Sequence, residues 1–351
     1  MKSRLEQVRN DTSAVLKGRT ELLRPLAGTH LLISGGTGFL GTWLLELISV
    51  LNTDHQFNMR VTIYSRSAPD FIRRHKHLGA RKEFHFLEGD IRFLTELPHQ
   101  IQYIIHAAAL TDRRLFASNP TAVGEINSLG TIRLLRAANL LEDLRKLLLV
   151  SSGLIYGPQP LSIERIDEND SNGFPCDNAN AIYAESKRFS EVFAASYVSE
   201  TKMPLVVARP FAFIGPHQSL ELPWAVTDFI RDSLAGRPIK IMGDGSTVRS
   251  LMYASDFAYW TLAALVRGHA RHAYNIGSPE PVDLLSLARM ITQHFTPAPE
   301  ILTKVGQYGH ETTRLVPCVE KACRELDVQL TVPLAEAIQR TICWHRAPEI
   351  S

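Results

Sequence analysis

A glycine-rich turn between two apolar segments constrains the fold of this 351-residue chain more than any other feature. In SGGTGFLG, residues Gly35, Gly38 and Gly41 are spaced three apart, after the apolar run HLLIS and before the apolar run TWLLELISVL. Glycine permits a tight turn and lets backbone N–H groups approach a pyrophosphate at a helix N-terminus. A strand, a glycine turn and a helix in this order predict a dinucleotide-binding unit.

Further apolar runs follow, with helical segments between them. Strands are predicted at MRVTIYS, EFHFLEGD, IQYIIHAAA, KLLLVSS and LVVARP. Strands that are apolar on both faces and separated by helices indicate a parallel sheet covered on both sides. We therefore predict a Rossmann-type, doubly wound α/β domain whose ligands bind at the carboxyl ends of its strands.

The character of the sequence changes at both ends of this domain. Residues 1–27 are charged throughout and are predicted to form a helical arm that docks on the remainder. The predicted Rossmann domain covers residues 28–212, and residues 243–272 return to it. Short segments rich in proline and glycine predict a smaller, mixed α/β C-terminal domain over 213–351, which mainly binds substrate.

The composition argues against several classes of partner. The formal net charge is only +2, from 38 basic and 36 acidic residues, so we expect no nucleic-acid partner. Four cysteines without a CxxC pair or a paired histidine spacing predict reduced thiols in a cytoplasmic protein, with no metal site. No apolar run has the length of a membrane span or of a signal-peptide core, so we expect no membrane partner.

The strand after the glycine turn ends in serine and arginine. Ser65 lies about 20 residues from the glycines, where an acidic residue would bind a ribose 2′-hydroxyl and repel a 2′-phosphate. Ser65 removes that repulsion, and Arg66 can bind a phosphate through charge-assisted hydrogen bonds. A solvated surface arginine is the alternative. The pattern predicts NADP as the cofactor in preference to NAD.

A tyrosine and a lysine four residues apart supply candidate acid–base groups. Tyr183 and Lys187 in AIYAESKR lie on one face of a predicted helix. The lysine can lower the pKa of the tyrosine, which can then move a proton to or from a substrate oxygen near neutral pH. Ser151 and Ser152 end the preceding strand, where one hydroxyl can hydrogen-bond the same oxygen.

A series of motifs resembles the extended short-chain dehydrogenase/reductases, in particular their nucleotide-sugar epimerase/dehydratase family. The motifs, from Leu31 to about Ile342, are GGTGFLG, GDIR, IIHAAA, INSLGTIRLL, VSSGLIYG, YAESKR, VARPFAFIGP, GDGSTVRSLMYASD, YNIGS and VPLAEAI. The resemblance implies an NAD(P)-dependent enzyme that transfers a hydride at a sugar carbon of a nucleotide-diphosphate sugar.

The resemblance also implies which residues act on the substrate. Ser152, Tyr183 and Lys187 would form the catalytic set, and Ser152 would also contact the substrate. Arg249, in STVRSLMY, matches the arginine that pairs with the diphosphate of the nucleotide sugar, a role that its bidentate geometry suits. An ion pair within the domain is the alternative for Arg249.

A larger set is implied to bind the cofactor. Its members are Gly35, Thr37, Gly38, Phe39, Leu40, Gly41, Ser65, Arg66, Asp90, Ile91, Ala107, Ala108, Ala109, Asn127, Ser151, Tyr183, Lys187 and Pro210. Asp90 and Ile91 would flank the adenine, and the three alanines would line the channel to the nicotinamide. Asn127 would sit near the cofactor, or would merely tie two elements together.

The sequence departs from the family pattern beside the catalytic serine. Dehydratases and decarboxylases of the family usually carry an acidic residue there, whereas this chain has Gly153 and Leu154. That argues against 4,6-dehydration or decarboxylation unless another residue substitutes, and Cys176 and His217 are candidates that are otherwise ordinary loop residues. Ala212 stands where many relatives have an asparagine that contacts substrate.

These observations favour an NADP-dependent nucleotide-sugar epimerase. The alternatives are an NADPH-dependent 4-keto-sugar reductase, a 4,6-dehydratase with an unusual base, and a non-catalytic NADP-sensing scaffold. Two helices also carry apolar residues beyond one buried stripe, including Ile132, Leu135, Phe189 and Phe193, which predicts a four-helix homodimer seam.

Overall fold

The computed structural model describes residues 3–304 and 313–348. Residues 1–2 of the predicted arm, and residues 305–312 and 349–351 of the predicted second domain, lie outside these ranges. The strands are β1 (His30–Ser34), β2 (Arg60–Ser65), β3 (Phe84–Glu88), β4 (Tyr103–His106), β5 (Lys146–Val150), β6 (Leu205–Pro210), β7 (Phe213–Ile214), β8 (Ile239–Ile241), β9 (Val248–Arg249), β10 (Met252–Tyr253), β11 (Ala273–Ile276), β12 (Val282–Asp283), β13 (Ile301–Thr303) and β14 (Arg314–Leu315). The helices are α1 (Arg4–Leu16), α2 (Thr20–Leu23), α3 (Phe39–His55), α4 (Ala68–Arg74), α5 (Lys76–Gly79), α6 (Arg113–Ser118), α7 (Pro120–Ala138), α8 (Ile182–Thr201), α9 (Ala225–Leu234), α10 (Ala254–Arg267), α11 (Leu284–Thr292), α12 (Glu320–Leu326) and α13 (Leu334–Arg346).

Seven strands form one parallel sheet in the order β11-β6-β5-β4-β1-β2-β3. The strand order reverses between β1 and β4, which is the point where a doubly wound sheet opens a crevice for a ligand. The predicted Rossmann-type fold is confirmed. The last strand, β11, follows directly after the segment 243–272 that the sequence assigns to this domain.

The two faces of the sheet are buried against different helices. Leu31 and Ile33 point to the face covered by α3 and α10, whereas Leu32 points to the face covered by α7 and α8. Burial of successive residues on opposite faces explains why the strands read as continuous apolar runs. The predicted strand IQYIIHAAA is shorter in the structure, because Ala107–Ala109 lie beyond the end of β4.

The segments after β6 build smaller units beside this sheet. β7 pairs with β10 and β8 pairs with β13, both parallel, while β9 lies between β12, which is antiparallel, and β14, which is parallel. Helices α9, α11 and α13 pack over a separate apolar cluster that includes Phe229, Leu287 and Ile338. The division into an arm and two domains stays a prediction, which this separate cluster supports.

The N-terminal helix α1 packs against α3 and α10. Its buried Asp11 accepts a hydrogen bond of 2.5 Å from the hydroxyl of Tyr253 and one of 2.5 Å from Arg340 of α13. Gln7 donates to the backbone oxygen of Arg340 at 2.7 Å. The arm therefore ties the sheet helices to the C-terminal helix.

The structure contradicts one of the residues predicted for the dimer seam. Leu135 is fully buried in the core beneath α7, because its side of the helix faces the sheet. Phe189 and Val192 of α8 are instead 45% and 61% exposed. Phe189, Phe193 and Tyr197 form a ladder of rings with centres 6.1 and 6.0 Å apart.

Candidate active site

The glycine turn joins β1 to α3 at the carboxyl edge of the sheet. Gly35 has a φ of +71°, and a side-chain carbon there would lie 2.6 Å from the Cα of Ala108. A side-chain carbon at Gly41 would lie 2.3 Å from the backbone oxygen of Gly36. Gly38 caps α3 with no side chain, which leaves N–H groups of the first turn available to an anion. The turn therefore fits the pyrophosphate of a dinucleotide.

Other residues implied to bind the cofactor at this edge contribute mainly their backbone. The Phe39 ring stacks on Phe213 with centres 4.8 Å apart, and Leu40 is buried in the core. Ala107–Ala109 follow β4 and are half-buried, and Pro210 ends β6 beside β11. Phe39 and Leu40 therefore offer backbone N–H groups rather than side chains.

Three hydroxyl groups cluster where β2 ends. The hydroxyl of Thr37 lies 2.6 Å from that of Ser65 and 3.0 Å from that of Ser67. The backbone N–H of Ser67 donates to the Ser65 hydroxyl at 3.3 Å. The cluster therefore presents donors at the position where an acidic residue would otherwise select a free ribose.

Arg66 and Asp90 face each other beside this cluster. The Arg66 side chain is 50% exposed, and its Nη1 lies 3.9 Å from Oδ2 of Asp90. Asp90 is held more closely by Arg92, whose Nη2 lies at 2.7 Å, and these arginines lower the pKa of the Asp90 carboxyl. Ile91 is buried, and a side-chain carbon at Gly130 of α7 would lie 2.7 Å from it. Ile91 therefore packs in the core, while Asp90 is anchored near the exposed end of the crevice.

The structure brings the three candidate catalytic residues to the carboxyl end of β5. The Ser152 hydroxyl accepts a hydrogen bond of 3.1 Å from the N–H of Leu154, and the Ser152 side chain also lowers the pKa of Tyr183. Tyr183 lies in the first turn of α8, and Lys187 lies one turn later. The Lys187 ammonium donates to the backbone oxygen of Val150 at 2.8 Å. A lysine ammonium has three donors, so two remain for a ligand.

Burial dominates the ionisation of this pair. It raises the pKa of Tyr183 to about 12, although the hydrogen bond with Ser152 acts in the opposite direction. Burial also lowers the pKa of Lys187 to about 8, against the charge of Glu191, which raises it. The expected lowering of the tyrosine pKa by the lysine is therefore not seen in the protein alone: desolvation of the phenolate raises this pKa, and Ser152 rather than Lys187 acts against the rise.

An apolar wall lines the candidate catalytic residue Tyr183. The ring of Phe116, on α6, stacks on the Tyr183 ring with centres 4.9 Å apart and planes 12° from parallel. Leu154 packs against the same cluster. A side-chain carbon at Gly153 would lie 2.8 Å from the ring of Phe211. The place of the acidic residue that is missing beside Ser152 is therefore filled by an aromatic ring.

Two buried polar atoms near this site have no hydrogen-bond partner among the residues that the structure describes. They are Oγ of Ser151 and Oδ1 of Asn127. The amide nitrogen of Asn127 donates to the Ser186 hydroxyl at 2.9 Å, so this residue does tie α7 to α8. Because buried polar groups are rarely left unpaired, the two atoms fit a site that a polar ligand completes.

Arg249 lies in the C-terminal part of the site. Its guanidinium donates to the backbone oxygens of Val248 at 2.7 Å and Thr313 at 3.2 Å, and to the Thr313 hydroxyl at 3.0 Å. Burial and the nearby positive charge of Arg113 lower the pKa of Arg249. Within residues 3–304 and 313–348 no carboxylate forms an ion pair with Arg249, so the alternative of an ion pair within the domain gains no support.

The remaining residues that the sequence singles out have ordinary surroundings. Cys176 is exposed in a loop. Nε2 of His217 lies 3.2 Å from the carboxylate of Glu46, and its ring packs edgewise against Trp43 of α3. Ala212 is half-buried, and its backbone oxygen accepts a hydrogen bond from Met252.

Residues 3–304 and 313–348 contain neither a candidate membrane span nor a candidate metal site. No helix there combines the length and the apolar composition that crossing a membrane requires. The same ranges contain no group of three or more histidine, cysteine or acidic side chains arranged to bind a metal ion.

Comparison with known proteins identifies the family. The sequence profile of the NAD dependent epimerase/dehydratase family matches residues 31–277, which is more than half of the chain. The chain belongs to the NAD-dependent epimerase/dehydratase family. Its cofactor turn, its Ser–Tyr–Lys set and its parallel sheet all lie within or beside the matched span.

Individual members of the epimerase/dehydratase family resemble almost the whole chain. UDP-glucuronic acid decarboxylase 1 of Xenopus tropicalis is 26% identical over 317 residues, which cover 90% of this chain and 72% of the relative. The dTDP-glucose 4,6-dehydratase of Actinoplanes sp. is 29% identical over 326 residues, covering 90% and 98%. The X-ray structure of Pal from Bacillus thuringiensis has a TM-score of 0.75 at 26% identity, covering 91% and 99%.

These findings confirm the predicted family, fold and enzyme class. Decarboxylases and dehydratases stand among the relatives, so membership of the epimerase/dehydratase family does not by itself select the reaction. The structure also adds residues that sequence reasoning missed. Ser67 joins the hydroxyl cluster, and its position two residues after Ser65 could have indicated it. Phe116 and Arg113 lie on α6, in a stretch without a recognisable motif.

Proposed function

We propose that the chain is an NADP-dependent nucleotide-sugar epimerase. The observation that carries this proposal is the surroundings of Tyr183. The ring of Phe116 stacks on Tyr183, Leu154 packs in the same apolar cluster, and Ser152 is followed by Gly153 rather than by an acidic residue. A site with one acid–base group suits oxidation of a sugar hydroxyl followed by reduction of the resulting ketone.

The reactions named for the two curated relatives need more than one acid–base group. Loss of water or of carbon dioxide requires a proton to move at a second carbon, in addition to the hydroxyl proton that the tyrosine moves. The phenyl ring of Phe211 lies 2.8 Å from the position that a side-chain carbon at Gly153 would take, so it leaves no room for a side chain there. Leu154 is apolar. This argues against dehydration and decarboxylation as the main reaction of this chain.

Each member of the catalytic set has a separate task in this proposal. Tyr183 accepts the proton of the reacting hydroxyl and later returns it, while Ser152 hydrogen-bonds the same oxygen. The Lys187 ammonium donates one hydrogen bond to the backbone oxygen of Val150, and its two other N–H donors are left for the cofactor ribose. When bound, NADP would supply the hydride acceptor, and the positive charge of its oxidised nicotinamide would favour ionisation of the buried phenol.

The hydroxyl cluster and Arg66 support NADP as the cofactor. Thr37, Ser65 and Ser67 offer hydrogen-bond donors for a 2′-phosphate, and Arg66 adds a positive charge. Arg66 and Arg92 together offset the negative charge of Asp90, so Asp90 does not repel the phosphate strongly.

The exposure of Arg66 supports a second candidate function, a reductase that consumes NADPH on a 4-keto sugar. Half of the Arg66 side chain is exposed, which suits a cofactor that exchanges with solution. A cofactor that stays bound through purification, with no net NADPH consumption during turnover, favours the epimerase. Loss of nicotinamide absorbance that matches product formation favours the reductase.

We also propose a homodimer. Leu129, Phe189 and Val192 are large apolar side chains that are 46%, 45% and 61% exposed on α7 and α8, which pack side by side. Burying these helices against those of a second copy would remove this apolar surface from water.

Product analysis tests the proposed reaction. The purified protein is incubated with a panel of UDP- and dTDP-sugars, and the products are analysed by chromatography and mass spectrometry. The proposal expects an isomer of unchanged mass. Products that have lost water or carbon dioxide would overturn it.

A further inference from the structure

Helix α6 connects the catalytic tyrosine to the C-terminal half of the site. Phe116 stacks on Tyr183 at 4.9 Å, and the Arg113 guanidinium lies 5.8 Å from the centre of the Trp224 ring. Residues three apart on a helix share a face, so Arg113 lies beside Phe116 on the side of α6 that faces the site. Arg113 precedes Phe116 by three residues, about 4.5 Å along the axis of α6.

Two neighbouring arginines on this helix differ in their partners. Arg114 forms hydrogen bonds of 2.6, 3.0 and 3.1 Å with the carboxylate of Asp112. Arg113 is exposed, and no carboxylate within residues 3–304 and 313–348 forms an ion pair with it. One positive charge on α6 is thus neutralised by the protein, and the other is left for a ligand.

A second cation without a carboxylate partner lies nearby. The guanidinium of Arg249 is held in place by Val248 and Thr313, so it is positioned but not neutralised. The charge of Arg113 is close enough to contribute to the lowered pKa of Arg249. Two adjacent positive charges repel each other, and an anion with at least two negative charges would relieve that repulsion.

The spacing along α6 matches the shape of a nucleotide sugar. When the reacting hydroxyl lies at Tyr183, one sugar ring separates it from the phosphate on the anomeric carbon. That ring has a width similar to the step of three residues from Phe116 to Arg113, about 4.5 Å along α6. With the sugar beside Phe116, Arg113 would lie level with the first phosphate.

We propose that Arg113 binds the diphosphate of the nucleotide sugar together with Arg249, as a second phosphate ligand that comes from the sheet side of the site. This inference rests on the proposed function, because it names a substrate contact of the same site. The ring of Trp224 holds the Arg113 guanidinium through a cation–π contact.

The test compares Arg113→Gln with Arg114→Gln as the matched control. Calorimetric titrations of NADP-loaded protein use UDP, dTDP and the corresponding monophosphates as probes. Arg113→Gln should weaken binding of the nucleoside diphosphate that the wild type prefers about ten- to a hundred-fold, with a smaller loss for the monophosphate. Arg114→Gln should bind as the wild type does, and NADP affinity should be unchanged in both variants.

Arg113→Lys separates charge from geometry. It should recover part of the lost affinity, because it restores the charge but not the planar fork. In turnover assays Arg113→Gln should raise KM more than it lowers kcat, since the lost contact is made equally to bound substrate and transition state.

Two results would overturn the inference in distinguishable ways. Equal diphosphate affinity in wild type and Arg113→Gln would show that Arg113 does not bind the diphosphate, while the proposed function would stand. A wild-type protein that binds neither UDP nor dTDP would contradict both this inference and the proposed function.

Discussion

Replacing Arg66 with alanine should reduce the preference of this protein for NADP over NAD. A charge-assisted hydrogen bond to a phosphate contributes about 1.5–3 kcal/mol. The Arg66 side chain is 50% exposed and lies 3.9 Å from Asp90, so the variant also loses a surface ion pair worth about 0–1 kcal/mol. The net loss of NADP binding is then about 0.5–3 kcal/mol, roughly a two- to 150-fold increase in Kd. NAD lacks the 2′-phosphate, so its Kd should hardly change.

Calorimetric titration of both dinucleotides measures this effect directly. Arg74→Ala is the matched control, because Arg74 is an exposed arginine on the nearby helix α4 that pairs with Asp70 at 2.8 Å. Ser65→Asp should reverse the preference, since a carboxylate binds a free ribose and repels a 2′-phosphate. The preference of the wild type should shrink as salt rises. Equal affinity of the wild type for NADP and NAD, or an unchanged ratio in Arg66→Ala, would refute the reasoning.

Three further predictions concern catalysis, assembly and acid stability. Tyr183→Phe should keep the cofactor but slow hydride transfer about 10²–10⁴-fold in single-turnover absorbance, and near-normal turnover would show that another group moves the proton. Val192→Glu should give a monomer in sedimentation at micromolar concentration where the wild type is a dimer; a monomeric wild type would refute the seam. Burial lowers the pKa of His106 to about 3 from 6.5. The unfolded chain therefore binds more protons between these values, and the free energy of unfolding should fall by a few kcal/mol as pH drops from about 6.5 towards 3, whereas a flat urea-unfolding profile from pH 6.5 to 4 would contradict this.

The fold could be predicted from the sequence because its signals are local. Each strand of the parallel sheet is an apolar run that ends in small or polar residues, and the first is followed at once by the glycine turn. The position of Gly35 is fixed by its left-handed backbone and by the close approach of Ala108, and both constraints select glycine. The spacing of Tyr183 and Lys187 is likewise local, since both lie on one helix.

The errors concern quantities that depend on packing between distant segments. The sequence pattern predicts Leu135 in the dimer seam because α7 is apolar on more than one side, and only the sheet determines which side is covered. The pKa of Tyr183 was expected to fall, because sequence spacing shows the neighbouring lysine but not the depth of burial. Phe116 was missed because α6 reaches Tyr183 through tertiary packing rather than through sequence proximity.

The central claim is that Tyr183 moves only a hydroxyl proton and that no second group moves a proton at carbon. Running the reaction in D₂O with the nucleotide sugar that the panel identifies, followed by mass spectrometry of the product, tests this claim most directly. The account predicts an isomer that carries no deuterium bound to carbon, because the hydride leaves and returns without meeting solvent. A product that has lost water or carbon dioxide and has gained carbon-bound deuterium would contradict it.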